Sequence, residues 1–482
     1  MPRVNVNTTK SKQSQVSTAK DTVSVLSILR LMLPKLGVGF PFAMLLSVYN
    51  RVMIDELAIV PIVIGIMYLL YNIVGGFGQV TVGRISDRRP IFGLRRSPYL
   101  LIGLLLSSLA LVPLHSVTMS FAAGNSIMLF AMLAIMAVFG VGFALCGDAH
   151  NSLIAEITAG KKNRSSVIAT VWLFQILSSI ASAIIISIIL QVADTNAGAP
   201  KACVTEACNL IRRTVALNMM PTFFGIGPII ALLGWLPVLG LEPRLTIGQL
   251  HFIEQRPELN LKQAYTRIFT NRQALAFFFF IFASIFALFM QDDILEPFGG
   301  KVFGLSVSAT SQFQPIMGGV TLVGMMIMGL VASRWPIPKR LITVVGSVIA
   351  GVGLLLLGIA AMTIIQPVLY LAIATLGLGM GVFNIGALSM MMDMTIPGET
   401  GSLMGAWGMA QAVSTGLANF MGTGILQVGL ALTGGNASVT YAMIFFASAG
   451  FCMVAITLVR RVNIEKFHKL TREQMGMVLE AA

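Results

Sequence analysis

Long apolar runs alternate with short polar segments along this chain, and the runs share one length. Stretches near 20 residues, enough for a helix to cross about 30 Å of hydrocarbon, occur at Leu36–Ile54, Ile59–Val80, Tyr99–His115, Ile127–Gly147, Val167–Leu190 and Thr214–Gly240. A second series follows at Gln273–Met290, Gln314–Ala332, Leu341–Met362, Val368–Met391, Leu403–Gly424 and Thr440–Val459. Between the series lies the longest interior polar stretch, which contains Glu242-Pro243-Arg244 and Arg256-Pro257-Glu258. The pattern predicts an all-α polytopic membrane protein with 12 transmembrane helices in two six-helix halves. Its expected divisions are a disordered cytoplasmic tail (1–30), a first half (31–240), a cytoplasmic linker (241–272), a second half (273–461) and a C-terminal tail (462–482).

Composition supports the membrane reading. Of 482 residues, 56% are hydrophobic and only 11% charged, against roughly 25% charged in soluble domains. The net charge of +13 would suggest nucleic acid in a soluble protein. Here its distribution says otherwise. With a cytoplasmic N-terminus, 27 of the 32 Lys and Arg residues fall on the cytoplasmic side, leaving Arg51, Lys201, Arg212, Arg213 and Lys301 outside. That asymmetry predicts both termini inside and no nucleic-acid partner. Residues 1–27 are polar, without an apolar core before a small-residue cleavage site, and read as a tail rather than a leader. Four cysteines are too few for a disulfide scaffold. Cys203 and Cys208 share an external segment where a local disulfide is one option; Cys146 and Cys452 read as span packing.

The halves resemble one another. Gly83-Arg84-Ile85-Ser86-Asp87-Arg88-Arg89-Pro90-Ile91 follows the second span, and Gly329-Leu330-Val331-Ala332-Ser333-Arg334-Trp335-Pro336-Ile337 follows the eighth. Glu156-Ile157-Thr158 precedes Trp172 as Asp393-Met394-Thr395 precedes Trp407. A pseudo-symmetric pair of six-helix units is the architecture of the major facilitator superfamily. Gly83-x-x-x-Asp87-Arg88 with Gly93-x-Arg95-Arg96 looks like that superfamily's signature between spans two and three. Gly permits close helix approach, and Asp87 can meet an Arg or a helix N-terminus of the other half. These residues, with Arg334, are a candidate conformational clasp; the plainer alternative is that the arginines only fix topology.

Two acidic clusters occupy equivalent places. Asn50-Arg51-Val52-Met53-Ile54-Asp55-Glu56-Leu57 closes the first span and Gln291-Asp292-Asp293-Ile294-Leu295-Glu296-Pro297 the seventh. Arg51 and Asp55 have helical pairing distance, whereas Asp292 and Glu296 would repel on one helical face. Pro297 is expected to stop the helix and leave Glu296 facing water near a cavity mouth, opposite Glu56. Ordinary outer-loop solvation is the bland reading. The four histidines have no zinc spacing, so no metal site is expected. His150 reads either as an axial ligand to a porphyrin-like magnesium or as a helix cap. Gly75-Gly76-Phe77-Gly78 and Gly377-Leu378-Gly379-Met380-Gly381 lie inside spans and read as packing. No nucleophile elbow or His-Glu-x-x-His is present, so no enzymatic role is expected.

Several of these elements together resemble the PucC family, the bacteriochlorophyll-delivery branch of the major facilitator superfamily. They are Asn50-Arg51-Val52-Met53-Ile54-x-Glu56-Leu57, Ser86-Asp87-x-x-Pro90-x-x-Gly93-x-Arg95-Arg96-x-Pro98-Tyr99 and Gln291-Asp292-x-x-Leu295-Glu296-Pro297-Phe298-Gly299-Gly300. Gly398-x-x-Gly401-x-x-x-Gly405-x-Trp407-Gly408-x-x-Gln411 is similar to the family's eleventh-span signature. Departures are Asp293, a second acid, and Phe298, where Tyr is commoner. The resemblance covers roughly 31–461. It implies assembly of light-harvesting antenna complexes, with (bacterio)chlorophyll as cargo rather than a covalent cofactor. Implied partners are the lipid bilayer, the tetrapyrrole pigment and antenna polypeptides or pigment-synthesis proteins, in an inner or photosynthetic membrane. Asn50, Arg51, Asp55, Glu56, Gln291, Asp292, Glu296, Trp407 and Gln411 are the candidate cavity, pigment or proton residues. A proton-coupled carrier of another small solute is the competing reading. A reporter fused near Glu258 is expected to read as cytoplasmic; an external reading overturns the division into halves.

Overall fold

The computed structural model describes residues 22–158, 161, 163–199, 205–244, 272–335, 337–394 and 400–467, and omits the side chains at 79–85, 87–88, 164–166, 169, 333, 392 and 400–406. Among these residues 12 helices are long and apolar enough to cross a membrane. They are α1 (Val25–Glu56), α2 (Pro61–Gly78), α3 (Ser97–Ala122), α4 (Met128–Ile157), α5 (Thr170–Asn196) and α6 (Glu206–Val238). The second set is α7 (Arg272–Phe289), α8 (Val307–Ala332), α9 (Lys339–Thr363), α10 (Gln366–Met391), α11 (Trp407–Leu432) and α12 (Ala437–Val459). Residues 1–21 and 468–482 of the tails and most of the linker lie outside the described residues, whereas 25–30, expected within a disordered tail, are helical. The first linker residues, 241–244, are seated on the first half, where Glu242 is buried.

The first helix starts earlier than the apolar run suggests. Val25–Met32 carries Arg30, which donates from Nε to the Pro237 carbonyl and from Nη2 to the Leu239 carbonyl, each at 2.5 Å. The last carbonyls of a helix have no partner within it, so the end of α6 accepts the cation and extends α1. Pro34 then restarts the helix, which runs to Met44.

Each half is held by glycines at its tightest crossing. In the first, Gly103 of α3 and Gly142 of α4 face one another. In the second, Gly346 of α9 lies against Phe383 of α10, and Gly379 of α10 against Ala350 of α9. Gly377 and Gly381 lie against the Met317 and Thr321 carbonyls of α8, so this glycine run is packing surface, as its place within a span suggests. Backbones approach closely only where no Cβ intervenes, the usual device of membrane helices. The halves meet where α2 packs on α11 and α5 on α8. Cys146 and Cys452 are buried free thiols; Cys208 is disulfide-bonded, while Cys203 lies outside the described residues. Gly379→Val, which drives a side chain into the α9 backbone, is expected to cost about 1–3 kcal/mol. Thermal unfolding in detergent measures it, and an unchanged midpoint shows slack in the crossing.

Candidate functional site

Twelve crossings leave 22–24, 89–96, 239–244 and 460–467 on one face, the terminal face, and 57–60, 197–199, 290–306 and 433–436 on the opposite face. On the opposite face the end of α1 is wound as two five-residue π-helical turns, Leu45–Tyr49 and Val52–Glu56, on either side of Asn50 and Arg51. Wider turns re-aim the side chains they carry and concentrate at functional sites. After α7 the chain turns through 290–294 into a short helix, Leu295–Phe303. That helix packs on both π turns and on α12.

The two acidic clusters therefore meet across the halves. Asn50 Nδ2 donates to Asp293 Oδ1 at 3.2 Å. Arg51 donates from Nη1 to Thr310 Oγ1 at 2.9 Å and from Nη2 to the Leu305 carbonyl at 2.5 Å. Its Nε lies 3.1 Å from Asp55 Oδ2, off line for a hydrogen bond, and its Nη2 lies 3.9 Å from Glu56 Oε1. Arg51 is only 5% exposed, so its charge is held by carboxylates of its own half and by oxygens of the other. A Cβ at Gly300 would overlap this guanidinium and the Asp55 carboxylate. Gly299-Gly300 is thus a close-approach surface inside a helix, not a flexible segment.

Three expectations are corrected here. Pro297 stops no helix. It is the third residue of one, where backbone N–H groups lack intrahelical partners anyway. Asp292 and Glu296 share no helical face, because 290–294 is a turn. Glu296 does not face water: it is fully buried, and neither of its carboxylate oxygens has a hydrogen-bond partner. Asp293 Oδ2, Gln291 Oε1 and Gln314 Nε2 are likewise buried and unpartnered. Burial, and then the neighbouring Asp292 charge, holds the Glu296 carboxyl well above its ordinary range, and burial pushes Asp292 up to about 6. Glu56 is no mirror of Glu296, since it turns to Arg51 and to Arg213 of α6 at 3.8 Å.

A family model described as PUCC protein matches residues 48–467. The chain belongs to the PUCC family. Among curated relatives, an uncharacterized protein of the puhA-bchM intergenic region of Rhodobacter capsulatus is 29% identical over 84% of this chain and 80% of its own length. The bacteriochlorophyll synthase 44.5 kDa chain of the same organism is 27% identical, covering 84% of this chain and 88% of that one. Protein PucC of Cereibacter sphaeroides is 25% identical over 92% and 93%. Among solved structures, the nucleoside transporter NupG superposes with a TM-score of 0.64 at 15% identity over 91% of this chain and 99% of its own. The xylose transporter XylE of E. coli gives 0.62 at 15% over 89% and 97%. These likenesses establish the fold, which is that of the major facilitator superfamily.

In this PUCC-family chain the described ion pairs of Arg95 and Arg96 on the terminal face are with an acid of the first half. Arg95 and Arg96 reach the same oxygen, Glu156 Oε1, at 3.2 and 3.0 Å. Glu242 accepts from the backbone N–H groups of Arg95, Arg96 and Ser97 at 2.6, 2.8 and 2.7 Å, an anion at the N-terminus of α3. Gly93, at a φ of 76°, shapes the tight loop before them. In the second half Lys339 meets Asp393 at 2.7 Å, so the repeated acids Glu156 and Asp393 bind the start of the neighbouring span in both halves. Among the described residues Arg95 and Arg96 meet Glu156, and Arg96 also meets Ser86, all in their own half. Arg334 is exposed. Gly83 lies in helix Pro61–Arg88, and the Asp87 and Arg88 side chains fall outside the described residues.

Other candidates are scattered. Trp407 is fully buried, edge-on to Phe277 at 4.9 Å, and Gln411 Nε2 points to Met391 Sδ at 3.5 Å; neither joins the acidic cluster. His150 is buried, its Nε2 2.8 Å from the Leu31 carbonyl. It ties α4 to α1 and does not stand open as a pigment ligand. Sequence reasoning overlooked Thr310 and Gln314, which carry no motif. It also counted Lys35 among the topology charges, whereas the structure buries it beneath Trp172. Arg51→Met removes the cation and leaves Asp55 uncompensated, at an expected cost to the closed opposite face of about 3–5 kcal/mol. A cysteine placed at Ser308, 4% exposed, should then react with an impermeant maleimide; unchanged labelling rejects the closure.

Proposed function

We propose that this protein assists assembly of light-harvesting antenna complexes by binding or delivering (bacterio)chlorophyll within the membrane. The observation that carries this reading is a cavity of about 1050 Å³ bounded by α7 and α12. Phe279, Phe282, Phe286 and Phe451 line it, no carboxylate does among the described residues, and Arg272, Arg461 and Lys466 stand at one end. Such walls suit a ring-bearing, hydrocarbon-rich cargo and offer a sugar or nucleoside few hydrogen-bonding groups. The name of one relative, a bacteriochlorophyll synthase chain, supports the same pigment class. On this reading the pigment is non-covalent cargo and the protein is not an enzyme. Its partners are antenna polypeptides or pigment-synthesis proteins. It sits in an inner or photosynthetic membrane with both termini cytoplasmic, the orientation favoured by the 27 cationic residues on that side.

One observation favours the second reading, proton-coupled transport of a small solute. Glu296 and Asp293 are buried with unsatisfied oxygens where the halves meet, a suitable place for protons to bias closure. Pigment absorbance in the purified chain separates the two. A deletion strain complemented with Glu296→Gln is expected to keep the protein and lose antenna absorbance severalfold. Normal antenna at wild-type abundance removes Glu296 from the function, and a wild-type chain that purifies without pigment from a pigmented membrane sinks the first reading.

A further inference from the structure

Lys35 is the least explained charge in the described protein. It sits in α1 at 3% exposure, and among the described residues it makes no ion pair. Its Nζ lies 4.9 Å from the ring centroid of Trp172, and the buried Cys146 thiol and His150 imidazole, neither of them a carboxylate, are its titratable neighbours among the described residues. Lysine is almost never fully buried unless paired, and a cation–π contact recovers only part of the desolvation cost. An ionisable side chain kept inside a membrane span marks a functional site by default.

The fold itself does not ask for this lysine. The second half builds the equivalent contact from hydrocarbon: Trp407 of α11 packs on Phe277 of α7 at 4.9 Å, as Trp172 of α5 covers Lys35 of α1. Yet Trp407 is fully buried, while Trp172 is 48% exposed. Its direction follows from helical periodicity. Ser179 and Ile180, two turns further along, lie against Gly39 of α1 and Gly318 of α8, so Trp172 points between α1 and the other half. Only an indole therefore separates a lone cation from the space between the halves.

We infer that Lys35 and Trp172 form a binding site for a carboxylate carried on a planar, apolar ring system. The carboxylate would pair with the ammonium, replacing the ammonium–indole contact, and the ring would stack on the freed indole face. One cation with no second charge beside it selects a monoanion. The half-exposed indole favours a ring-bearing acid over a fatty acid or a phospholipid headgroup. This site is in the first half, apart from the α7–α12 cavity, and goes beyond the pigment reading without depending on it.

The test uses the full chain in nanodiscs with pyrenebutyric acid and its methyl ester as probes, counting the fraction displaced by excess unlabelled acid. Wild type is expected to bind the acid at least about tenfold more tightly than the ester, the scale of a charge-assisted hydrogen bond. Lys35→Met, which fills the same space, should erase that preference without lowering the unfolding temperature. Trp172→Leu should weaken the acid and leave competition by palmitate or phosphatidylglycerol unchanged. Equal binding of acid and ester by wild type overturns the proposal even if Lys35→Met does not fold. Retained preference in Lys35→Met overturns it too, as does displacement by phosphatidylglycerol or palmitate as effective as by the acid. Loss of the acid preference with pigment still bound refutes nothing in the antenna reading, and the reverse result leaves Lys35 standing.

Discussion

A guanidinium withdrawn from water must be surrounded by oxygens, and the closed face of this protein is arranged around that requirement. Arg51 gets a carboxylate from its own helix, a hydroxyl and a carbonyl from the other half, and a glycine that lets the partner helix approach. None of these works alone. The π turns aim the cation, the short helix Leu295–Phe303 delivers the acceptors, and Gly300 removes the Cβ that would hold the two apart. Removing one partner of such a pair costs far more than the pair contributes over an apolar substitute. The arrangement therefore defines one relative position of the halves more sharply than it stabilises the fold.

Charge is used differently on the terminal face. Glu156 with Arg95 and Arg96, and Asp393 with Lys339, tie adjacent spans inside each half, and glycine crossings at α3–α4 and α9–α10 do the same in hydrocarbon. Repeated contacts of this kind brace each half internally. Carriers of this architecture work by rocking such halves about a central site, and among the described residues the cross-half polar contacts are gathered at the opposite face.

Asymmetry between the repeats marks where chemistry has been added. In the second half Glu296 and one oxygen of Asp293 are buried without a hydrogen bond, while the first half places its acids on Arg51 and Arg213. Lys35 under Trp172 faces Phe277 under Trp407 in the same comparison. Where two halves share packing, a difference in charge has no architectural cause, and buried charge is too costly to persist as packing.

Apolar run length and the distribution of lysine and arginine were sufficient, in the sequence alone, for the helical class and the span count, because hydrocarbon thickness and backbone hydrogen bonding permit one solution. The family was also legible, from short motifs at span ends. Asn50, Arg51, Asp55 and the 291–296 segment stood out as charges next to spans. What they touch did not. Partners 240 or more residues away, such as Thr310 and Asp293, carry no local signal. The π turns and the early start of α1 depend on contacts with α6 and the other half, so helical periodicity misplaced Pro297, Glu296 and Lys35. Burial is a property of packed surfaces, and only the tertiary structure decides which charged side chain at a span end meets water and which meets the other half.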